Sequence, residues 1–265
     1  MIAFFRNIRK SLLQSGQARK YILYAIGEIT LVVIGILIAL QINNWNEGIK
    51  KEATVNGHLK SLAKAVKQDV RELTISMEFS ETRFHFIQYF LKISNIPFDS
   101  LPTIPRFETY IENHWSGPYP DTLDKRYIDK NIPYINNAFL GMVFNYSAIN
   151  EINNLGILSE LKDDSLKTMI TEYYYFLDWR FGEQGVNKRY KLAEDLKNHL
   201  RDQHFISCTY PPNPLLLIHA IKEDEKLVIM LKDLAKTSHD HYWETSGLRD
   251  RAKKLVENIN SKVSG

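Results

Sequence analysis

Between Tyr21 and Leu40 the chain runs for twenty residues with one ionisable side chain, Glu28. A helix of that length spans about 30 Å, the thickness of a bilayer's hydrocarbon core. The core helix of a soluble domain is shorter or keeps a polar face, and the run ITLVVIGILIAL does neither. A cleaved signal peptide has a shorter apolar region followed by a small-x-small site, and ALQINNWNE does not supply one. Residues 21–45 therefore read as an uncleaved signal anchor.

Lysine and arginine placement orients such a segment. Arg6, Arg9, Lys10, Arg19 and Lys20 precede it with no acid among the first twenty residues, whereas Asn43, Asn44, Trp45, Asn46 and Glu47 follow before any lysine. This predicts a cytoplasmic N-terminus, with the chain from residue 46 onward on the outer side. Tyr21 and Tyr24 on one flank and Trp45 on the other suit the two headgroup layers. In residues 1–20, Ile2, Phe5, Ile8 and Leu12 recur at helical spacing between the bases, the pattern of an amphipathic helix on the inner leaflet. The formal net charge is +3, so with five bases in this tail the remaining chain is slightly acidic. No basic patch is left for nucleic acid. The single Cys208 excludes an intramolecular disulfide and reads as a small buried hydrophobe.

The segment KYILYAIGEITLVVIGILIALQINNWNE, from Lys20, resembles the hallmark of an uncharacterised family of single-pass inner-membrane proteins of Gram-negative bacteria, a domain of unknown function. A second stretch, NYSAINEINNLGILSELKDDSLKTMITEYYYF, from Asn145, resembles a downstream segment of the same family. The resemblance implies an inner-membrane protein whose residues 46–265 form a periplasmic helical domain. It brings no catalytic residue, cofactor or ligand with it.

Beyond Trp45 the pattern stays helical. Leu59, Leu62, Val66, Val70, Leu73 and Met77 recur every three or four residues, and Phe84, Ile87 and Leu91 continue the face. No proline precedes Pro97, so the anchor is expected to continue into a long outer helix with bends at Gly48 and Gly57. Residues 94–105 read as a loop, and 106–135 carry no readable period. A helix is expected from Ala138 to Asn153, broken at Gly156, and another begins with Asp163 or Asp164 as N-cap. It bends at Gly182 and Gly185 and continues through Leu192, Leu196 and Leu200 to a stop at TYPPNP, residues 209–214. The last helical region, from Leu215 to Val263, is expected to break near Gly247. The fold class is all-α: one membrane helix followed by a bundle of about four long helices.

Catalytic and phosphate-binding motifs are missing: the sequence has no G-x-S-x-G, no H-E-x-x-H and no glycine-rich loop. No metal site is expected, because His239 and His241 are two apart and His199 and His204 five apart. The helical chelating spacing is four. His85, among aromatics, reads as a core histidine.

Two surfaces remain. Ala25, Glu28, Val32, Gly35 and Ala39 share one stripe of the anchor, with Gly35 and Ala39 as a small-x-x-x-small pair that lets two helices approach. Tyr173, Tyr174, Tyr175 and Trp179 form the densest aromatic patch, and consecutive tyrosines cannot all face one core. The expected function is that of a membrane-anchored scaffold or interaction protein, self-associating or binding another membrane or periplasmic protein. The alternative is a ligand-sensing bundle signalling through a partner. Neither requires a cofactor, and the lipid bilayer is a partner of both.

Overall fold

The computed structural model describes Arg6 and residues 18–98, 101–136, 142–207 and 213–263, with side chains left aside at Ala18, Tyr21 and residues 183–190. The apolar face of Ile2, Phe5, Ile8 and Leu12, the helix start at Ala138, Cys208 and most of the TYPPNP stop lie outside the described residues. Among the described residues all regular structure is helical.

Helix α1, Ala18–Ile93, runs for 76 residues without interruption, and Gly48 and Gly57 lie inside it. Gly is unfavourable in a helix interior by only about 1 kcal/mol, too little to break a helix with long flanks. The chain divides into two compact units, residues 1–57 and 58–265.

In the first unit the large apolar side chains from Ile22 to Ile42 are exposed along α1. Among the described residues, α1 is the one helix long and apolar enough to cross a membrane.

The second unit has its own core, built around the C-terminal part of α1. Leu59, Leu62, Val66, Leu73, Met77, Phe84, Ile87 and Leu91 are buried as their spacing predicts. Val70 is half-exposed, and its neighbour Asp69 takes the buried position. From Ile75 to Ile87 every residue is buried, on all sides of the helix. A helix covered all round has no polar face left. Glu78, Glu81, Arg83 and His85 must therefore find partners inside the protein.

Residues 101–124 supply the partners of Glu78, Glu81 and His85 as an irregular segment laid against α1 by side-chain bonds, and Tyr134 supplies that of Arg83. Two short helices follow, α2 (Lys125–Asn131) and α3 (Pro133–Asn136). Tyr127, Ile128, Ile132 and Ile135 from this region join the main core. Asp124 caps α2 by accepting from Tyr127 N.

Helix α4 spans Ser147–Asn154 and α5 spans Ile157–Glu160. Residues 142–146 are not helical, which shortens the helix expected from Ala138. Gly156 between α4 and α5 has φ +69°, a left-handed conformation that suits glycine.

The remaining helices are α6 (Asp164–Phe181), α7 (Glu183–His204), α8 (Pro214–Glu223) and α9 (Glu225–Val263). Asp163 caps α6 through Leu166 N at 3.1 Å. Gly182 joins α6 to α7 where a Cβ would lie 2.3 Å from Asp178 O, so only glycine lets the chain turn there. Helices α6, α7 and α9 pack on one another. The stripe Leu227, Leu231, Leu234, Leu248, Leu255 and Ile259 of α9 is buried. The break expected near Gly247 is absent: α9 is continuous through it, and the chain breaks instead at Asp224, ahead of α9.

Candidate functional site

The three consecutive tyrosines of α6 separate by facing. Tyr173 and Tyr174 are buried, so they drop out of the exposed patch expected from sequence. Tyr175 and Trp179 are exposed, at 65% and 61%. The helical period explains the split, since Tyr173 and Leu177 share the inward face and Tyr175 and Trp179 the outward one.

Trp179 faces a groove between α6 and α9. Phe176, Trp179, Arg180, Trp243, Glu244 and Arg251 line a space of about 250 Å³. Trp243 is also exposed, so two indoles flank it. Arg251 stacks over the Phe176 ring at 4.8 Å and lies 3.5 Å from Glu172. Gly247 borders this groove and a neighbouring one lined by Met169, Glu172, Asp250 and Lys254. A Cβ there would meet nothing within 4 Å, so the missing side chain leaves the seam open. Indole, tyrosine and guanidinium groups are the side chains that dominate protein interfaces.

Arg180, which lines this groove, also reaches a buried arrangement that could be mistaken for a catalytic dyad. Ser76 Oγ lies 2.8 Å from His241 Nε2, both buried. In a serine nucleophile site the other ring nitrogen donates to a carboxylate, leaving Nε2 free to take the hydroxyl proton. Here Arg180 Nη2 lies 2.5 Å from His241 Nδ1, and a guanidinium only donates. The neutral imidazole therefore carries its hydrogen on Nε2 and donates it to Ser76, the wrong tautomer for a base. Burial lowers the Arg180 pKa against the opposing pull of Glu244 and Asp240, and Arg180 pairs with Glu244. His239 and His241 are both within α9, not in a turn; Trp243 Nε1 donates to His239 Nε2 at 3.2 Å.

Deeper in the unit, two glutamates of α1 hold the irregular segment. Glu78 accepts from Ile111 N at 2.7 Å and Glu112 N at 3.2 Å. Glu81 accepts from the hydroxyls of Tyr110, at 3.0 Å, and Tyr119. His85 Nε2 donates to Ile104 O at 2.9 Å, so His85 is the core histidine expected from its aromatic surroundings. Arg83 Nε donates to Tyr134 O at 2.7 Å. His114 Nδ1 lies 3.0 Å from Thr82 Oγ1, and its Nε2 lies 3.5 Å from Glu78. Burial raises the Glu78 pKa and lowers that of His114 to about 4, so the interior disfavours charge on both. Burial and then the Glu81 charge raise the Tyr119 phenol, which stays a donor. These groups are enclosed and bind the protein to itself.

Asp69 belongs to the same class. Its carboxylate accepts from Asn145 N at 3.1 Å and Tyr173 OH at 3.0 Å, joining α1, the approach to α4 and α6. Burial outweighs both bonds and pushes its pKa up to about 6.

One cluster escaped the spacing argument. His199, His204 and Asp224 bring their ligand atoms within 4.8 Å of one another. Five residues is the wrong interval inside a helix, but His204 is the last residue of α7 and Asp224 arrives from a different segment.

In the first unit, Glu28 and Ala25 are half-exposed on α1, while Val32, Gly35 and Ala39 are exposed, and a Cβ at Gly35 would meet nothing within 4 Å. The stripe therefore sits on an open helix surface. The family of unknown function DUF6090 matches residues 28–92, all within α1 and about a quarter of the chain. The match starts inside the hallmark quoted above and ends before the irregular segment. No curated protein and no solved structure matches the chain. The part similar to that uncharacterised family is thus the helix that is apolar and uncovered at one end and buried all round at the other.

Proposed function

We propose that this protein is a membrane-anchored interaction protein of the bacterial inner membrane, with residues 46–265 as a periplasmic helical domain. The observation that carries the reading is the uncovered run of apolar side chains from Ile22 to Ile42. At about 25 cal/mol per Å² of apolar surface, leaving so many leucines, isoleucines and valines in water is untenable, and lipid supplies the missing cover. The five bases before the run favour a cytoplasmic N-terminus.

Within the membrane the anchor associates with a second copy along Ala25, Glu28, Val32, Gly35 and Ala39. Gly35 and Ala39 admit close backbone approach, and Glu28 supplies a polar contact across the interface. The exposed Tyr175, Trp179 and Trp243 extend the contact surface of the periplasmic domain. The enclosed Glu78 and Glu81 networks support a structural role for the domain interior.

Cross-linking of the full-length protein in its own membrane, followed by mass spectrometry of the products, tests this. Self-association is expected in the wild type. Gly35→Ile should weaken it strongly, since a Cβ added there meets no other side chain within 4 Å and the bulk projects toward a partner. Glu28→Gln should largely preserve it, and Glu28→Leu should lose the polar contact. Equal cross-linking in Gly35→Ile, Glu28→Leu and wild type would overturn the proposal.

A further inference from the structure

His199 and His204 close the last turns of α7, and Asp224 precedes α9. The chain is turned at this point by Phe205 in the left-handed region, φ 54°, with Ile206 N bonded to Leu200 O at 3.0 Å. That closure sends Ile206 into the core and leaves His204 at the rim. Both imidazole Nε2 atoms lie 2.7 Å from the same oxygen, Asp224 Oδ2. The other oxygen, Oδ1, is occupied: it accepts from Leu227 N at 3.0 Å, and Asp224 N donates to Ala220 O.

We propose that His199, His204 and Asp224 form a binding site for one divalent transition-metal ion of the zinc type. Two imidazoles and a carboxylate are a recurrent three-ligand set for Zn²⁺, leaving a fourth position open to water or a further ligand. The two ring nitrogens converge on one point from the end of one helix, and the carboxylate comes from another segment. Asp224 is oriented by its bonds to α8 and α9, the fixing that a metal-bound carboxylate receives from outer partners. With metal–ligand distances of about 2.0–2.2 Å, tetrahedral ligand atoms stand about 3.3 Å apart. The N···O separations of 2.7 Å need to open by roughly 0.6 Å. Each ring then binds through the Nε2 lone pair and carries its hydrogen on Nδ1. All three side chains are between 11% and 20% exposed, so an ion has access from solvent. The proposal is independent of the anchor and of self-association.

The test is calorimetric titration of full-length protein, purified in detergent and stripped of metal, with Zn²⁺ alone, repeated with Co²⁺ to read coordination from its visible spectrum. One ion per chain is expected, with a tetrahedral Co²⁺ spectrum. His199→Ala and His204→Ala should each weaken binding by more than about tenfold. His204→Gln keeps an N–H donor toward Asp224 and Asp224→Asn keeps the acceptor for Leu227 N, so both variants should fold as the wild type by circular dichroism yet bind at least about tenfold more weakly. Absence of saturable binding to the wild type overturns the proposal. Undiminished affinity in His199→Ala and His204→Gln also overturns it, by locating the bound ion elsewhere, such as His239.

Discussion

Glu81→Ala is expected to destabilise the domain by about 2–5 kcal/mol, measured by urea unfolding of residues 50–265 followed by circular dichroism. Two effects add. Tyr119 OH and Tyr110 OH donate to this carboxylate, and each donor stranded in the interior costs about 1–3 kcal/mol. Tyr110 is half-exposed and recovers part of its share from water, whereas Tyr119 is more deeply enclosed. The vacated space adds a cavity term. Glu81→Gln retains one acceptor oxygen and should cost less than alanine. Tyr119→Phe should cost about 1.5–3 kcal/mol by leaving the carboxylate with one fewer donor. The cost of the double variant should fall short of the sum of the single costs, because the two residues share one bond. Losses below about 0.5 kcal/mol for both Glu81→Ala and Tyr119→Phe would mean that the carboxylate is hydrated and the irregular segment is not held by it.

Asp69 predicts a pH dependence of unusual sign for an aspartate. Its pKa rises from 3.8 to about 6 on folding, because burial disfavours the carboxylate. The folded state thus binds the proton more tightly than the unfolded chain, and stability from this group is present below pH 4 and lost as pH rises through 6. The shift corresponds to a loss of about 3 kcal/mol. Asp69→Asn cannot ionise, so the stability of Asp69→Asn minus that of the wild type should rise by about 2 kcal/mol between pH 4 and 6.5 and level off above about pH 7. The subtraction matters because His114 works in the opposite direction: its pKa falls on folding to about 4, so its contribution is lost as pH drops. Raw stability curves combine the two with Glu78, whose raised pKa acts in the same direction as that of Asp69, whereas the difference curve isolates Asp69. A difference that stays flat with pH would contradict the buried, ionisable Asp69 described above.

The legible parts of this fold are those where burial is one-sided. Leu227, Leu231, Leu234, Leu248, Leu255 and Ile259 face one core from one stripe of α9, so their period shows in the sequence. Asp163 was readable as a cap because a carboxylate before an apolar run has a physical task there. Residues 75–87 of α1 were not legible as a central helix. Coverage on every side erases the polar face, and the buried set mixes Phe84 and Ile87 with Glu78, Glu81 and Arg83. Residues 106–122 have no period because bonds from α1 side chains to their backbone and hydroxyls hold them. Gly247 misled for a simpler reason: glycine signals a break only where the turn needs it, and long packed flanks outweigh its helix cost of about 1 kcal/mol. The aromatic patch was half legible, since period-based facing keeps Tyr175 and Trp179 and removes Tyr173 and Tyr174. The His199, His204 and Asp224 cluster needed the end of α7 and a residue twenty positions later, which no local spacing encodes.

The central claim is that residues 21–45 cross the inner membrane and that the helical domain stands on the periplasmic side. A reporter enzyme that is active only in the periplasm, fused after Gly265 and expressed in a Gram-negative host, tests it most directly. The fusion should be active and should sediment with membranes. Reversing the charges at Arg6, Arg9, Lys10, Arg19 and Lys20 should lower that activity, because Lys50 and Lys51 would then be the nearest bases and would favour the opposite orientation. An inactive fusion, together with full activity of a cytoplasm-only reporter at the same position, would contradict the account.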